Sequence, residues 1–124
     1  VSIILIMVLT GCEDKGMSYN QISMEEAIKI MEEEIDYIIL DVRTPEEFAE
    51  KHIPNAMNIP NETIGSEEIA ELPDKNQLIL VYCRSGNRSK QASEKLAALG
   101  YINIYEFGGI NDWTGETVSE EIQK

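Results

Sequence analysis

Leu78-Ile79-Leu80-Val81-Tyr82-Cys83-Arg84-Ser85-Gly86-Asn87-Arg88-Ser89 is the stretch on which the reading of this chain turns. Residues 78–82 are apolar without interruption, the pattern of a strand in a parallel sheet buried on both faces. Gly86 marks a tight loop, and Ser89 can open a helix. Residues 89–99 then place Ala92, Leu96 and Leu99 on one helical face, closed by Gly100. The unit is strand, loop, helix, with Cys83 at the carboxyl end of the strand.

The flanking sequence repeats the alternation. Ser23 and Glu26 form a capping box for a helix carrying Met24, Ala27, Ile28, Met31 and Ile35 on one face. The acidic run at residues 32–34 reads as its solvated end. Residues 37–40 are a second short apolar strand, ending at Asp41. Thr44, Pro45 and Glu47 supply a cap, an N1 proline and an N3 acid for a short helix over residues 45–50. Pro54 and Pro60 bracket a strand at 56–59. Residues 66–72 suggest one or two helical turns stopped by Pro73. Ile102, Ile104, Tyr105 and Phe107 give the last strand, ended by Gly108-Gly109, and a helical turn follows at 110–113. No repeat or low-complexity segment interrupts the pattern. Strands alternating with helices at this spacing predict an α/β domain with a mostly parallel sheet.

The chain has 124 residues, enough for one domain and hardly for two. Ten basic residues stand against 23 acidic ones, a formal net charge of -13, which argues against nucleic acid and against electrostatic attraction to an anionic membrane. Two cysteines and one histidine make neither a disulfide framework nor a usual zinc site, so no metal or cofactor is expected.

In open α/β sheets, ligands bind at the carboxyl ends of strands. Three things at Cys83 favour a thiolate. They are the N-terminus of the following helix, inward-facing N–H groups of a Gly-containing loop, and Arg84 and Arg88, two of only three arginines in the chain. In an acidic protein this cationic loop would focus a small anionic substrate. The bland alternative is a structural cysteine packed as a small hydrophobe. The strand–loop–helix setting argues for a reactive thiol.

At this point the sequence resembles the rhodanese family. Four blocks carry the resemblance, in order: Leu40-Asp41-Val42-Arg43-Thr44-Pro45-Glu46-Glu47-Phe48; His52-Ile53-Pro54-Asn55-Ala56-Met57-Asn58-Ile59-Pro60; Cys83-Arg84-Ser85-Gly86-Asn87-Arg88-Ser89; and Gly108-Gly109-Ile110 with Trp113. The resemblance implies a five-stranded, mainly parallel sheet flanked by helices, with the active loop after the central strand. It makes Cys83 the nucleophile that carries a persulfide. Arg84, Ser85, Gly86, Asn87, Arg88 and Ser89 are then the substrate-binding loop. The implied reaction takes sulfur from a small anionic donor such as thiosulfate and passes it to cyanide or a thiol. Relatives of this fold that act as phosphatases or arsenate reductases have five residues between Cys and Arg, whereas four separate Cys83 from Arg88. The shorter loop suits a sulfur atom. A non-catalytic binding module is a third reading, disfavoured by the presence of Cys83. Asp41 and Arg43, at a strand end facing the same rim, are expected to form a buried or rim ion pair that orients the loop. His52 reads as structural, and Trp113, Tyr105 and Phe107 as core.

The N-terminus has a separate character. Residues 1–9 are uncharged and apolar, too short to span a bilayer as an ordinary helix, and fit the h-region of a signal peptide. No basic n-region or initiator Met precedes them, so the sequence is expected to begin within the signal. Leu9-Thr10-Gly11-Cys12 resembles the lipobox of bacterial lipoproteins, with Cys12 as the lipidated residue. The expected organisation is a signal and lipobox at 1–11, a linker at 12–18, a rhodanese domain at 19–115 and a polar tail at 116–124. The expected protein is a monomer, lipid-anchored outside the cytoplasm in the bacterial cell envelope, touching the membrane through its lipid alone.

Overall fold

The computed structural model describes residues 18–120. Its elements are β1 (Asn20–Gln21), α1 (Met24–Glu33), β2 (Tyr37–Asp41), α2 (Pro45–Glu50), β3 (Met57–Asn58), a 3-10 turn (Asn61–Thr63), β4 (Leu78–Cys83), α3 (Asn87–Ala98), β5 (Ile104–Gly109) and a 3-10 turn (Ile110–Asp112). The five strands form one sheet in the order β1-β5-β4-β2-β3, and every pairing is parallel. This is the rhodanese-like α/β fold. The most apolar strand, β4, is central, where both faces are covered.

Alternation along β4 divides the core and aims the thiol. Ile79, Val81 and Cys83 join Leu40, Val42, Ala92 and Leu96 on the face covered by α3. Leu80 and Tyr82 join Ala27, Ile39, Phe107 and Ile110 on the opposite face. Because side chains alternate with a period of two, the position of Cys83 in the strand puts its sulfur under the start of α3.

Both predicted capping boxes form: Ser23 with Glu26 on α1, and Thr44 with Glu47 on α2. Four expectations are corrected. Residues 66–72 form no helix; a 3-10 turn at Asn61–Thr63 precedes them. Only Ile69 and Leu72 of that segment turn inward, so a short helix would gain too little burial to offset its nucleation. The last strand begins at Ile104, since Ile102 is exposed, and runs through both glycines. Helix α1 stops at Glu33, which leaves Ile35 98% exposed and off the apolar face. Helix α3 begins at Asn87, two residues before Ser89, because Gly86 takes the cap position with φ 116°. Strand β1 is two residues long, too short to show a period. The stretch beyond residue 115 is tied to the domain by paired backbone bonds between His52 and Val118.

Candidate active site

Cys83 is 1% exposed and sits at the base of the loop that joins β4 to α3. The Gly86 N–H donates to Cys83 Sγ at 3.0 Å. The left-handed conformation of Gly86 allows that inward turn, which a side chain would strain. Helix α3 starts at the next residue, so the first N–H groups of the helix have no intrahelical acceptor, and its positive end lies beside the sulfur. The Cys83 S–H in turn donates to Ser89 Oγ at 3.4 Å, from the first turn of α3.

Strand β5 braces the loop from one side. The pairing of β4 with β5 slips between Val81 and Cys83, so that Val81 faces Glu106 and Cys83 faces Gly109. One extra β5 residue is accommodated there, a bulge next to the thiol. A Cβ on Gly109 would lie 2.0 Å from the Arg84 carbonyl oxygen, so the close approach of strand and loop requires glycine. The Asn111 N–H donates to that same Arg84 carbonyl at 3.1 Å.

Helix α2 reaches the loop from the other side. The Arg88 guanidinium donates two parallel bonds to Glu47, at 2.8 and 3.1 Å. Arg84 Nε lies 3.8 Å from the same carboxylate. Glu47 therefore caps α2 through Thr44 and binds the loop at once. The Arg88 bonds hold the Glu47 carboxylate at about 2, against an ordinary 4.5. The same pairing raises the Arg88 guanidinium above its ordinary value. The two arginines expected to face a donor freely thus share an acidic partner. Arg84, with a 63% exposed side chain, is the freer of the two.

Asp41 and Arg43 do form an ion pair, at 2.7 Å and almost wholly buried. Of the buried or rim placements expected, the buried one is present, and the expectation that the pair faces the rim of the loop is corrected. Asp41 accepts from the Tyr82 hydroxyl at 2.7 Å, and Arg43 lies over the Tyr82 ring, on the sheet face opposite Cys83. The parity of β4 decides this, since Tyr82 and Cys83 are adjacent. Burial works against the Arg43 charge, and its bonds to Asp41 more than restore it. Burial, then the Asp41 charge, raises the Tyr82 phenol well above its ordinary value. Arg43 also donates to the Lys51 carbonyl at 2.6 Å, which ties down the end of α2. The pair thus braces the end of the segment that carries Glu47, and through Tyr82 it touches the strand that carries Cys83. His52 is buried, with Nδ1 2.7 Å from the Phe48 carbonyl and its ring stacked on Phe48, a structural setting. Phe107 is core, whereas Tyr105 and Trp113 are partly buried against it.

Two residues at the site were not singled out from sequence. Glu47 read as a capping acid, which it also is. Glu106 is 2% exposed on β5, and its Oε2 accepts from Ser89 Oγ at 2.5 Å and from the Gly108 N–H at 3.0 Å. A charged residue between Tyr105 and Phe107 in an otherwise apolar strand was the available signal. Cys12 lies outside the described residues. Among the described residues no cluster of ligating side chains could hold a metal ion.

The sequence pattern of the Rhodanese-like domain matches residues 23–116. The chain is 38% identical over 73 residues to the thiosulfate sulfurtransferase PspE of Escherichia coli, covering 59% of this chain and 70% of that protein. It is 31% identical over 109 residues to the thiosulfate sulfurtransferase GlpE of Coxiella burnetii, covering 87% of this chain and 99% of that one. A solved rhodanese with anions from E. coli superposes with a TM-score of 0.61 at 38% identity, over 67% of this chain and 98% of that chain. The chain belongs to the rhodanese-like family, with relatives that are sulfurtransferases.

Proposed function

We propose that the protein moves the outer sulfur of thiosulfate, or of a similar small anionic donor, to a thiol or cyanide acceptor through a persulfide on Cys83. The observation that carries this reading is the cradle itself: Sγ at the base of a loop with four residues between Cys83 and Arg88, receiving the Gly86 N–H at 3.0 Å. The names of the sulfurtransferase relatives support the donor class.

In the first half-reaction the Cys83 thiolate attacks the outer sulfur of thiosulfate. A sulfur–sulfur bond forms to Cys83, the bond to the sulfonate group breaks, and sulfite leaves with the electron pair. In the second, the acceptor attacks the outer sulfur, and the Cys83 thiolate is the leaving group. With cyanide the product is thiocyanate. Negative charge moves between two sulfurs, so preorganised N–H donors such as that of Gly86 suit both steps. Arg84 and Arg88 would hold the sulfonate end of the donor. Ser85, Asn87 and Ser89 complete the loop around it.

Incubation with thiosulfate under non-reducing conditions should add one sulfur atom to the protein, removable by cyanide. Cys83→Ser should take up none and turn over nothing, while keeping its fold, because the swap scarcely changes volume. Turnover persisting in Cys83→Ser would overturn the assignment. Aryl-phosphate hydrolysis faster than thiosulfate turnover in the wild type would replace it with the phosphatase reading.

The N-terminal sequence supports a lipid tether on Cys12 that holds this activity outside the cytoplasm. Expressed with its full signal, the protein should fractionate with membranes, and Cys12→Ala should abolish the processing. A Cys12→Ala protein of unchanged mature mass would count against the tether.

A further inference from the structure

We propose that Glu106 is the proton acceptor for Cys83, acting through the Ser89 hydroxyl, so that thiol and carboxylate exchange one proton inside the fold. The inference rests on Cys83 being the nucleophile, and it gives that residue a base, which the chain's single histidine does not supply. His52 is occupied by the Phe48 carbonyl and stacked on the Phe48 ring.

The geometry is a buried chain of three groups. Cys83, Ser89 and Glu106 are 1%, 0% and 2% exposed. The Cys83 S–H donates to Ser89 Oγ at 3.4 Å, and the Ser89 O–H donates to Glu106 Oε2 at 2.5 Å. Ser89 has one proton and three oxygen acceptors in reach: Glu106, the Gly86 carbonyl at 3.0 Å and the Gly108 carbonyl at 3.3 Å. Carbonyls cannot donate, so among the described residues the thiol is the donor to the Ser89 lone pairs. The carboxylate is the closest acceptor and takes the proton.

Two protons moving one step each convert this arrangement into its mirror. The thiol proton passes to Ser89 Oγ as the Ser89 proton passes to Glu106. The products are a thiolate accepting from the Ser89 O–H, and a carboxylic acid donating to Ser89 Oγ. Every group stays hydrogen-bonded in both states, and the Gly86 N–H faces the sulfur in both. No net charge enters or leaves the buried site. When Cys83 is later expelled from the persulfide, the same path returns the proton from Glu106 to the sulfur. No oxidant or outside base is required.

The surroundings leave Glu106 free for this role. Its other donors are the Gly108 N–H at 3.0 Å and Gln21 Nε2 at 3.4 Å from β1, both neutral. Among the described residues it makes no ion pair. Tyr19 lies near it on the β1 side, its phenol raised by burial and then by the charges of Glu106 and Glu94. On the far side of the sulfur stand Arg88 and Arg84, both already engaged with Glu47. Glu106 is thus a positioning residue and proton store, and Ser89 is the group that touches the sulfur.

The test reads the thiolate without any sulfur donor. Iodoacetamide alkylation of the full-length protein is followed on the Cys83 peptide by mass spectrometry, from acidic to alkaline pH. Two coupled groups sharing a proton give a wild-type rate that rises in two steps. Glu106→Gln keeps the shape and removes the proton acceptor. It should lose the acidic step, alkylating about tenfold more slowly near pH 6 relative to its own alkaline plateau. Simple electrostatics predicts the opposite sign, because deleting a negative neighbour favours a thiolate. Ser89→Ala should lose the same step, and the double variant should lose no more than either single one. In sulfur transfer, Glu106→Gln should lower kcat about 100-fold with little change in KM. Acidic alkylation by Glu106→Gln as fast as wild type, or faster, overturns the relay. Should one variant fail to fold by circular dichroism, the other decides on the same readout. A wild type inert toward thiosulfate whose acidic step still vanishes in Glu106→Gln would support the relay and overturn the donor proposed above.

Discussion

Two carboxylates approach the Cys83 loop, one from helix α2 and one from strand β5, and they are held in opposite ways. Glu47, from the segment after β2, sits at the partly exposed rim and is bound by the paired donors of Arg88. Glu106, from β5, is buried and, among the described residues, its carboxylate is bound by a hydroxyl, a peptide N–H and an amide. A carboxylate locked to a guanidinium stays charged and fixes geometry. One satisfied by neutral donors can change its protonation without leaving an ion stranded in the interior. The loop therefore has a rigid electrostatic wall on one side and a proton-accepting wall on the other.

The largest effect is expected on the β5 side, where contact is closest. Gly109→Ala places a methyl 2.0 Å from the Arg84 carbonyl oxygen, so loop or strand backbone must move. Its cost should be about 3 kcal/mol of stability, with sulfur transfer falling as the cradle opens. Gly65→Ala meets nothing within 4 Å and serves as the control, expected to be near neutral. Denaturant melts of the two variants check this. Equal stability would mean that the loop is not braced by β5.

On the Glu47 side, Arg88→Ala removes a donor contact and strips Glu47 of its paired bonds, leaving the carboxylate beside the entrance with Arg84 alone at 3.8 Å. Thiosulfate kcat/KM should fall by about 2 kcal/mol, mostly through KM, and steady-state kinetics at fixed ionic strength reads it. An unchanged KM would show that Arg88 serves Glu47 alone.

How much of this was legible beforehand follows from the range of the interactions. The capping boxes, the central strand and the Cys83 loop are local, spelled out within six or seven residues by Ser23 and Glu26, Thr44 and Glu47, or residues 78–83. The rival loop lengths could also be read by counting. What eluded the sequence was parity and partnership. Asp41 and Arg43 lie at the expected strand end, but which sheet face they serve is not legible locally, because pairing with β4 sets which way Asp41 points. Glu47 lies 41 residues from Arg88, and Glu106 lies 17 from Ser89. Nothing local distinguishes a capping acid from one that also crosses to a neighbouring loop.

Acid should dissolve the rim wall in a defined window. Arg88 holds the Glu47 carboxylate at about 2, below its ordinary 4.5. A depressed carboxylate contributes stability that is complete above the unfolded value and is lost as pH falls through the folded one. The stability gap between wild type and Glu47→Gln should hold above about pH 5 and close toward pH 2, by on the order of 1 kcal/mol. Urea midpoints across that range measure it. A gap that stays constant would mean that the ion pair carries no net stability.

The smallest effect is the most discriminating, because the two halves of one ion pair should act with opposite signs on donor binding. Glu47→Gln keeps the side-chain length and an acceptor oxygen for the Thr44 cap, so α2 should remain. It removes one negative charge from a rim where Arg88 lies 2.8 Å and Arg84 3.8 Å away. Both guanidiniums then present more of their charge to an incoming anion. Coulomb attraction at a solvated rim is modest and screened by salt, so the KM for thiosulfate should fall only about two- to threefold at low ionic strength. The gain should vanish as salt is raised, whereas the loss in Arg88→Ala should persist in part, because a missing donor cannot be screened. A KM that rises in Glu47→Gln would reverse the account. Glu47 would then matter chiefly by holding Arg88 in place, and the rim would be a scaffold for the arginine and no brake on it.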